Sequence, residues 1–115
     1  MTCIQGFICA VPTKNRGVFI QHAQKAAQAF HDYGCVAAVE CWGDDVTSCD
    51  VPSFPAAVLA QPDETVFSWV QWADRATRDA GNEKIMNDPR LAAFGMPFDS
   101  KRLIFGGFQP VVEVG

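Results

Sequence analysis

The first forty residues contain two strand-like apolar runs separated by a stretch with helical periodicity. Residues 3–11 are rich in Ile, Phe, Val and Cys and end at Pro12, which cannot donate a hydrogen bond within a sheet. From Phe19 onwards, apolar or small residues recur at helical spacing as far as Gly34, a residue suited to the left-handed conformation that ends a helix. A second strand is predicted over residues 35–42.

The middle of the chain predicts a β-hairpin. After the turn-rich residues 43–52, two β-prone runs, 54–61 and 65–72, are separated by the short loop Pro-Asp-Glu. Short loops of this composition commonly join antiparallel strands. Both runs are therefore predicted to be strands.

The last third of the chain predicts one more helix and one more strand. Asp74 is a suitable N-cap for a helix over residues 75–87, and Pro89 ends it. A Gly-Met-Pro-Phe-Asp loop leads to a strand over residues 102–108, which Pro110 restricts to an edge or an end of the sheet. The predicted order is β-α-β-β-β-α-β, a ferredoxin-like α+β fold with one extra strand in the middle hairpin.

Apolar residues occupy both faces of the predicted strands. On the first strand, one face carries Cys3, Phe7, Cys9 and Val11, and the other carries Ile4, Ile8 and Ala10. On the strand near residue 70, Phe67 and Trp69 lie opposite Val66, Val70 and Trp72. Two helices can cover only one face, so the other requires a partner, and a symmetric homodimer is the common solution.

Composition narrows the partners and the location. The chain has 115 residues, 49% of them hydrophobic, and is expected to form a single domain over residues 1–115. Nine Lys and Arg against thirteen Asp and Glu give a net charge of −4, which disfavours nucleic acid and anionic membrane surfaces. No signal peptide and no apolar stretch of about 20 residues is evident, so a cytoplasmic location is expected.

The cysteines predict neither disulfides nor a metal site. They are odd in number and lie at positions 3, 9, 35, 41 and 49, without Cys-x-x-Cys or zinc-ligand spacing. Five reduced thiols in a reducing compartment are expected. Phosphate loops and nucleotide fingerprints are also missing, so no cofactor is predicted.

Several segments together resemble a known family. They are the opening from Gly6 to Thr13 and the runs 22–27 (HAQKAA), 39–46 (VECWGDDV), 67–72 (FSWVQW), 76–82 (ATRDAGN), 86–90 (MNDPR), 96–99 (MPFD) and 104–108 (IFGGF). In combination they resemble the YbaA-like family of uncharacterised bacterial proteins. The resemblance implies a dimeric α+β barrel, a superfamily that includes cofactor-independent monooxygenases and muconolactone isomerases, and it implies no particular reaction.

Two residues are candidates for acid–base catalysis. His22 lies about 60° from the centre of the predicted helix's buried stripe, at the margin between core and solvent, whereas His31 lies towards solvent. Glu40 shares a mostly apolar strand face with Ala38 and Trp42, and burial of a carboxylate there would raise its pKa. The commoner role of a histidine at such a margin is structural, with a hydrogen bond to a carboxylate or a carbonyl.

Glu40 also has a structural interpretation, as the partner of an arginine. Arg75, Arg78 and Arg102 are the candidate partners, because structural ion pairs also perturb titration. The adjacent acids at positions 44 and 45 lack the spacing of a calcium loop and are interpreted as a solvated turn.

Aromatic and polar side chains supply candidates for ligand binding. Trp42 and Trp69 could form apolar walls of a pocket, although tryptophans are equally typical of a core or a dimer interface. Arg78 and Asn82, four residues apart on the second helix, could bind an anion or form a solvated face. Residues 101–108 faintly resemble an RNA-binding signature, but they fall on the last strand of an acidic domain.

Two functions from different classes remain open. The first is an enzyme or binder of a small organic molecule, with His22 and Glu40 as polar groups and Trp42 and Trp69 as walls of one pocket. The second is a non-catalytic dimeric module in which these residues serve folding and assembly. A cavity that brings these side chains together would favour the first.

Overall fold

The computed structural model describes residues 2–47, 53–92 and 100–114. Within these residues the chain forms four strands and four helices, together with three single 3-10 turns at 13–15, 62–64 and 100–102. The strands are β1 (Cys3–Ala10), β2 (Ala37–Trp42), β3 (Thr65–Trp72) and β4 (Leu103–Phe108). The helices are α1 (Arg16–Asp32), α2 (Phe54–Ala57), α3 (Arg75–Met86) and α4 (Pro89–Ala92).

The strands form one antiparallel sheet in the order β2-β3-β1-β4. The central strand β1 pairs with β3 through Cys3↔Trp72 to Ala10↔Thr65 and with β4 through Ile4↔Phe108 to Cys9↔Leu103. Strands β2 and β4 are therefore the edges, and the edge position predicted for the last strand from Pro110 is confirmed. In the described residues, no helix is both long and apolar enough to cross a bilayer.

One predicted strand is wrong. Residues 54–61 do not form a strand, because the Oγ atom of Ser53 caps the helix α2 by accepting a hydrogen bond from the Ala56 N–H at 3.1 Å. Pro55, in the first turn, is compatible with a helix start. Leu59 then adopts a positive φ of 53°, which no strand residue has. The order is thus β-α-β-β-α-β with a short helix in the long β2–β3 connection.

Both long helices pack on the same face of the sheet, and this face holds the core. One cluster of buried residues, towards the α3 end, consists of Cys3, Ala26, Phe30, Val70 and Trp72. A second cluster, towards the start of α1, consists of Cys9, Val11, Phe19, Ala23 and Val66. Every strand residue in these clusters belongs to the same alternating set, as the strand registers require.

Helix α3 begins at the cap that the sequence predicts, and it packs on the sheet through Gly81, whereas its Ala76, Ala80 and Met86 are exposed. The Asp74 carboxylate accepts a hydrogen bond from the Thr77 N–H at 2.7 Å, so Asp74 is the N-cap. Gly81 is buried against the ring of Trp72, whose Nε1 donates to Gln5 Oε1 at 2.7 Å. The missing side chain of Gly81 therefore lets α3 come close to the sheet.

The other face of the sheet has no helix from α1 or α3 over it and exposes large apolar side chains. Phe108 is 63% exposed, and Ile104, Phe67 and Val39 are 38–45% exposed on the same face. The prediction that both faces of the strands are apolar, with helices over one of them, is therefore confirmed. We call this surface the open sheet face.

Candidate functional site

A cleft of about 420 Å³ lies between helix α1 and the edge strand β2. We call it the α1–β2 cleft. It is lined by Arg16, Phe19, Ile20, Ala23, Gln24 and Ala27 from α1 and by Ala38, Glu40 and Trp42 from β2. Its size is within the range of small-molecule sites in proteins.

Small residues create the space and aromatic residues close one end. Ala23, Ala27 and Ala38 leave room where larger side chains would fill the gap between helix and strand. Phe19 and Trp42 meet edge-to-face with ring centroids 5.8 Å apart. This aromatic corner forms a flat wall, a geometry that suits a planar ligand.

Trp42 is held from two sides. Its Nε1 donates a hydrogen bond to the backbone oxygen of Asp63 at 3.2 Å, which fixes the plane of the indole. The guanidinium carbon of Arg16 lies 5.4 Å from the centre of the indole, within the range of a cation–π contact. Arg16 is exposed and therefore forms the rim of the cleft.

Glu40 supplies the carboxyl group of the cleft. Strand register places it opposite Ser68, on the face covered by α1. Burial raises the pKa of Glu40 from an ordinary 4.5 to about 7, although a hydrogen bond from the Ser68 hydroxyl opposes the rise. A carboxyl group with this pKa can both accept and release a proton near neutral pH.

A buried thiol lies beside this carboxyl group. Burial, together with the negative charge of Glu40, raises the pKa of Cys9 to about 12. The thiol is therefore protonated at neutral pH and behaves as a small apolar group rather than a nucleophile. Glu40 is the group in the cleft suited to move a proton.

The structure does not bring the two predicted acid–base candidates together. His22 is buried, and burial lowers its pKa, but it is not among the residues that line the α1–β2 cleft. The helical period places His22 on the opposite flank of the buried stripe from Gln24 and Ala27. His31 is exposed, as predicted.

The predicted ligand-binding residues are also divided. Trp42 lines the cleft with Glu40, whereas Trp69 pairs with Gly6 and Val39 and so lies on the open sheet face. The two tryptophans cannot wall one pocket, because the register between β2 and β3 puts them on opposite sides of the sheet.

Arg78 and Asn82 lie on helix α3, away from the α1–β2 cleft. The Arg78 Nη1 donates to Cys3 Sγ at 3.3 Å, and its Nη2 pairs with Asp79 at 2.9 Å. A methyl group at Gly107 would collide with this guanidinium, so the side chain is packed over the end of β4. Asn82 is half-buried.

The arginines proposed as structural partners of Glu40 have other contacts. Arg75 pairs with Asp79 at 3.9 Å, and Arg102 donates to the Leu59 carbonyl at 3.0 Å. The two acids at positions 44 and 45 are exposed in the turn after β2. In residues 2–47, 53–92 and 100–114, no three His, Cys, Asp or Glu side chains are grouped as a metal site, and Cys49 lies outside these residues.

Sequence reasoning missed Arg16 and Ser68 as parts of the site. Arg16 precedes the apolar stripe of α1 and gives no periodic signal, and Ser68 is significant only because it lies opposite Glu40. It also missed a cluster outside the cleft, in which Asp88 accepts hydrogen bonds from Arg90 at 2.7 Å and from the Tyr33 hydroxyl at 2.6 Å. These donors hold the pKa of Asp88 well below its usual range.

Comparison with solved structures confirms the ferredoxin-like α+β class. A dimeric ferredoxin-like protein from an uncultured marine organism matches with a TM-score of 0.61 at 12% identity, over 98% of this chain and 97% of that one. A variant of SnoaB, a cofactor-independent oxygenase from Streptomyces nogalater, matches with a TM-score of 0.56 at 12% identity, over 98% and 96% of the two chains. Identities this low establish a shared fold and nothing further.

Comparison of sequences identifies the family. The uncharacterized protein YbaA of Escherichia coli strain K12 is 42% identical over 116 residues, which cover 98% of this chain and 99% of YbaA. A family model described as a protein of unknown function, DUF1428, matches residues 2–100. The predicted resemblance to YbaA-like proteins is confirmed, and the chain belongs to the DUF1428 family.

Proposed function

We propose that the chain is a small-molecule enzyme that performs acid–base chemistry in the α1–β2 cleft, with Glu40 as the group that moves the proton. One observation carries the proposal: the carboxyl group of Glu40 has a pKa of about 7 inside an apolar cleft that is open to solvent. A general base is most effective when its pKa lies near the operating pH.

The simplest reaction is a proton transfer within one substrate. Ionised Glu40 takes a proton from an acidic C–H or O–H group, and the protonated carboxyl group returns it to another atom, so the net change is an isomerisation. The Ser68 hydroxyl keeps the carboxyl group oriented through this exchange.

Deuterium exchange tests this proposal without knowledge of the natural substrate. A panel of small carbon acids is incubated with the protein in D₂O, and loss of the acidic C–H signal is followed by NMR. We expect exchange of at least one panel member, falling about 100-fold or more in Glu40→Gln. The matched control is Glu83→Gln, an exposed residue of α3.

Equal exchange in the wild type and Glu40→Gln would contradict the proposal. His22 stays a predicted acid–base candidate, and His22→Gln in the same assay distinguishes a second site from the cleft. Exchange that depends on His22 and not on Glu40 would move the chemistry out of the α1–β2 cleft.

We further propose that the chain forms a homodimer through the open sheet face. The exposed apolar side chains of this face, including Phe108 and Ile104, support it, and so does the description of one structural neighbour as dimeric. A non-catalytic dimeric module is the second candidate function, because this face alone would serve it. Packing on the open sheet face leaves the α1–β2 cleft, on the other side of the sheet, accessible.

Light scattering tests the dimer. We expect twice the chain mass for the wild type and the single chain mass for Ile104→Asp, with Met86→Asp as the control for a charge on an exposed apolar residue of α3. A wild-type monomer at micromolar concentration would contradict the dimer. A dimer in which Glu40→Gln changes no exchange rate would favour the non-catalytic module.

A further inference from the structure

The α1–β2 cleft is lined by a cation, Arg16, and by the carboxyl group of Glu40. The Arg16 guanidinium lies over the indole of Trp42, 5.4 Å from its centre. Glu40 is two residues before Trp42 on the same strand, so their Cα atoms are ~7 Å apart and their side chains share one face. The cation and the carboxyl group therefore both line the cleft, Arg16 from helix α1 and Glu40 from strand β2.

The walls of the cleft favour a planar ligand. The rings of Phe19 and Trp42 meet at 61°, and three of the other lining residues are alanines, beside Ile20 and Gln24. A ligand ring can lie against the side of the indole that Arg16 does not cover, with its edge towards Phe19, an arrangement that aromatic groups prefer. A branched aliphatic chain would leave the flat indole surface poorly covered.

The charges of the cleft favour an anion at one end. Arg16 is the cation among the lining residues, and it is exposed at the rim where a carboxylate could reach it without being buried. A guanidinium recognises a planar carboxylate through paired N–H donors. Further in, Glu40, which accepts a hydrogen bond from the Ser68 hydroxyl, provides an acceptor for a second polar group.

We infer that the α1–β2 cleft binds single-ring aromatic acids, with the carboxylate at Arg16, the ring on Trp42 and a ring hydroxyl group at Glu40. This inference rests on the proposed function of the same cleft and adds the chemical class of its ligand. The hydroxyl group would be the proton donor to Glu40, and the carboxylate would fix the ring so that this group reaches it.

Three probes separate the two polar contacts. Dissociation constants are measured by calorimetry or NMR titration for 4-hydroxyphenylacetate, its neutral amide 4-hydroxyphenylacetamide, and phenylacetate, which lacks the ring hydroxyl group. We expect the amide to bind about tenfold more weakly than the acid, since it loses a charge-assisted contact with Arg16. Phenylacetate should also bind more weakly, because its contact with Glu40 is lost.

Matched variants assign these losses to residues. Arg16→Gln should remove the preference for acid over amide, while Arg75→Gln, an exposed arginine of α3, should retain it. Glu40→Gln should reduce the preference for the hydroxylated probe and leave the preference for acid over amide intact. Arg16 and Arg75 are exposed and Glu40 lines the cleft, so none of the three substitutions removes a side chain from the core clusters. Circular dichroism verifies that each variant is folded.

Equal binding of acid and amide, an unchanged preference in Arg16→Gln, or no saturable binding of any probe at millimolar concentration would each overturn the inference. These outcomes concern binding alone and leave the deuterium-exchange test of Glu40 unaffected. Failure of that exchange test, with the Arg16-dependent preference intact, would instead overturn the proposed acid–base function and keep the ligand class.

Discussion

The ring of Trp72 lies directly against the α-carbon of Gly81, so that a methyl group at Gly81 would come within 2.6 Å of the indole Cζ3 atom. Trp72 is completely buried and cannot move aside without disturbing Phe30, whose ring centroid lies 6.0 Å away. Gly81→Ala should therefore lower the free energy of unfolding by about 1–3 kcal/mol, the usual cost of overpacking a core. Urea denaturation measures the loss.

Gly17→Ala is the matched control for this substitution. Gly17 is also helical, but nothing lies within 4 Å of the position its Cβ would take. There the same change should raise the free energy of unfolding by about 0.5–1 kcal/mol, because alanine favours the helix. Similar effects at both positions would show that Trp72 accommodates the added methyl group.

Glu40 should make stability depend on pH in a defined direction. Its pKa is raised in the folded state, so between 4.5 and about 7 the folded chain binds more protons than the unfolded chain. The protonated Glu40 therefore contributes stability that is fully present below pH 4.5 and is lost as the pH rises through about 7. Glu40→Gln should thus be more stable than the wild type above pH 7, by about 1–3 kcal/mol.

Urea denaturation at pH 4.5 and pH 8 checks this expectation. Glu83→Gln, on the exposed surface of α3, should show no comparable difference between the two pH values. The buried His22 has a lowered pKa and therefore makes the fold more stable as the pH rises. This contribution is the same in the wild type and in Glu40→Gln, so it cancels when the two are compared at one pH. A Glu40→Gln variant no more stable than the wild type at pH 8 would contradict the raised pKa.

The Tyr33–Asp88–Arg90 cluster should make part of the fold sensitive to acid. The pKa of Asp88 is lowered, so its stabilising effect is present above the ordinary value of 3.8 and is lost as the pH falls below it. Tyr33→Phe removes the 2.6 Å hydrogen bond and should lower the thermal midpoint at pH 7. The deficit should shrink when the melting is repeated at acidic pH.

Thr13→Val provides the comparison for an exposed hydrogen bond. The Thr13 hydroxyl donates to the Asp63 carboxylate at 3.1 Å, in an exposed setting where water can replace the bond. The thermal midpoint of the Thr13→Val variant should therefore be nearly that of the wild type. If Tyr33→Phe behaved like Thr13→Val, the cluster would have no stabilising role.

Cys9 should resist alkylation in the folded protein. It is only 5% exposed, and its pKa of about 12 leaves almost no thiolate at pH 8. With iodoacetamide at pH 8, and in the Ile104→Asp variant so that no partner covers the open sheet face, peptide mass spectrometry should find Cys41, which is partly exposed, modified well before Cys9. In urea the two rates should become similar, and equal rates in the native protein would contradict the burial of Cys9.

The alternation of side chains between the two faces of each strand could be predicted, because it depends only on neighbouring residues. The opposed faces of Val70 and Trp69, the Asp74 cap and the Gly34 helix end all follow from local patterns. The extra strand over residues 54–61 failed because its β-prone composition was outweighed by the Ser53 cap and Pro55.

The site required information that no local pattern contains. Which face of β2 continues which face of β3 depends on the register, and the long connection between these strands does not fix it as a tight turn would. Register joins Glu40 to Ser68 and separates Trp42 from Trp69. The position of His22 similarly depends on how α1 is rotated about its axis over the sheet. Because His22 lies at the edge of the apolar stripe, the sequence does not determine this rotation.

The three tryptophans give the two sides of the sheet separate optical signals. Trp42 lies in the α1–β2 cleft under a cation, Trp69 lies on the open sheet face, and Trp72 is sealed in the core. In a Trp69→Phe variant, fluorescence changes on adding a small molecule would come from the cleft, because Trp72 has a constant environment. In a Trp42→Phe variant, spectral shifts on dilution would come from Trp69 and would report association. The same chain can thus be titrated for ligand and for self-assembly without an extrinsic dye.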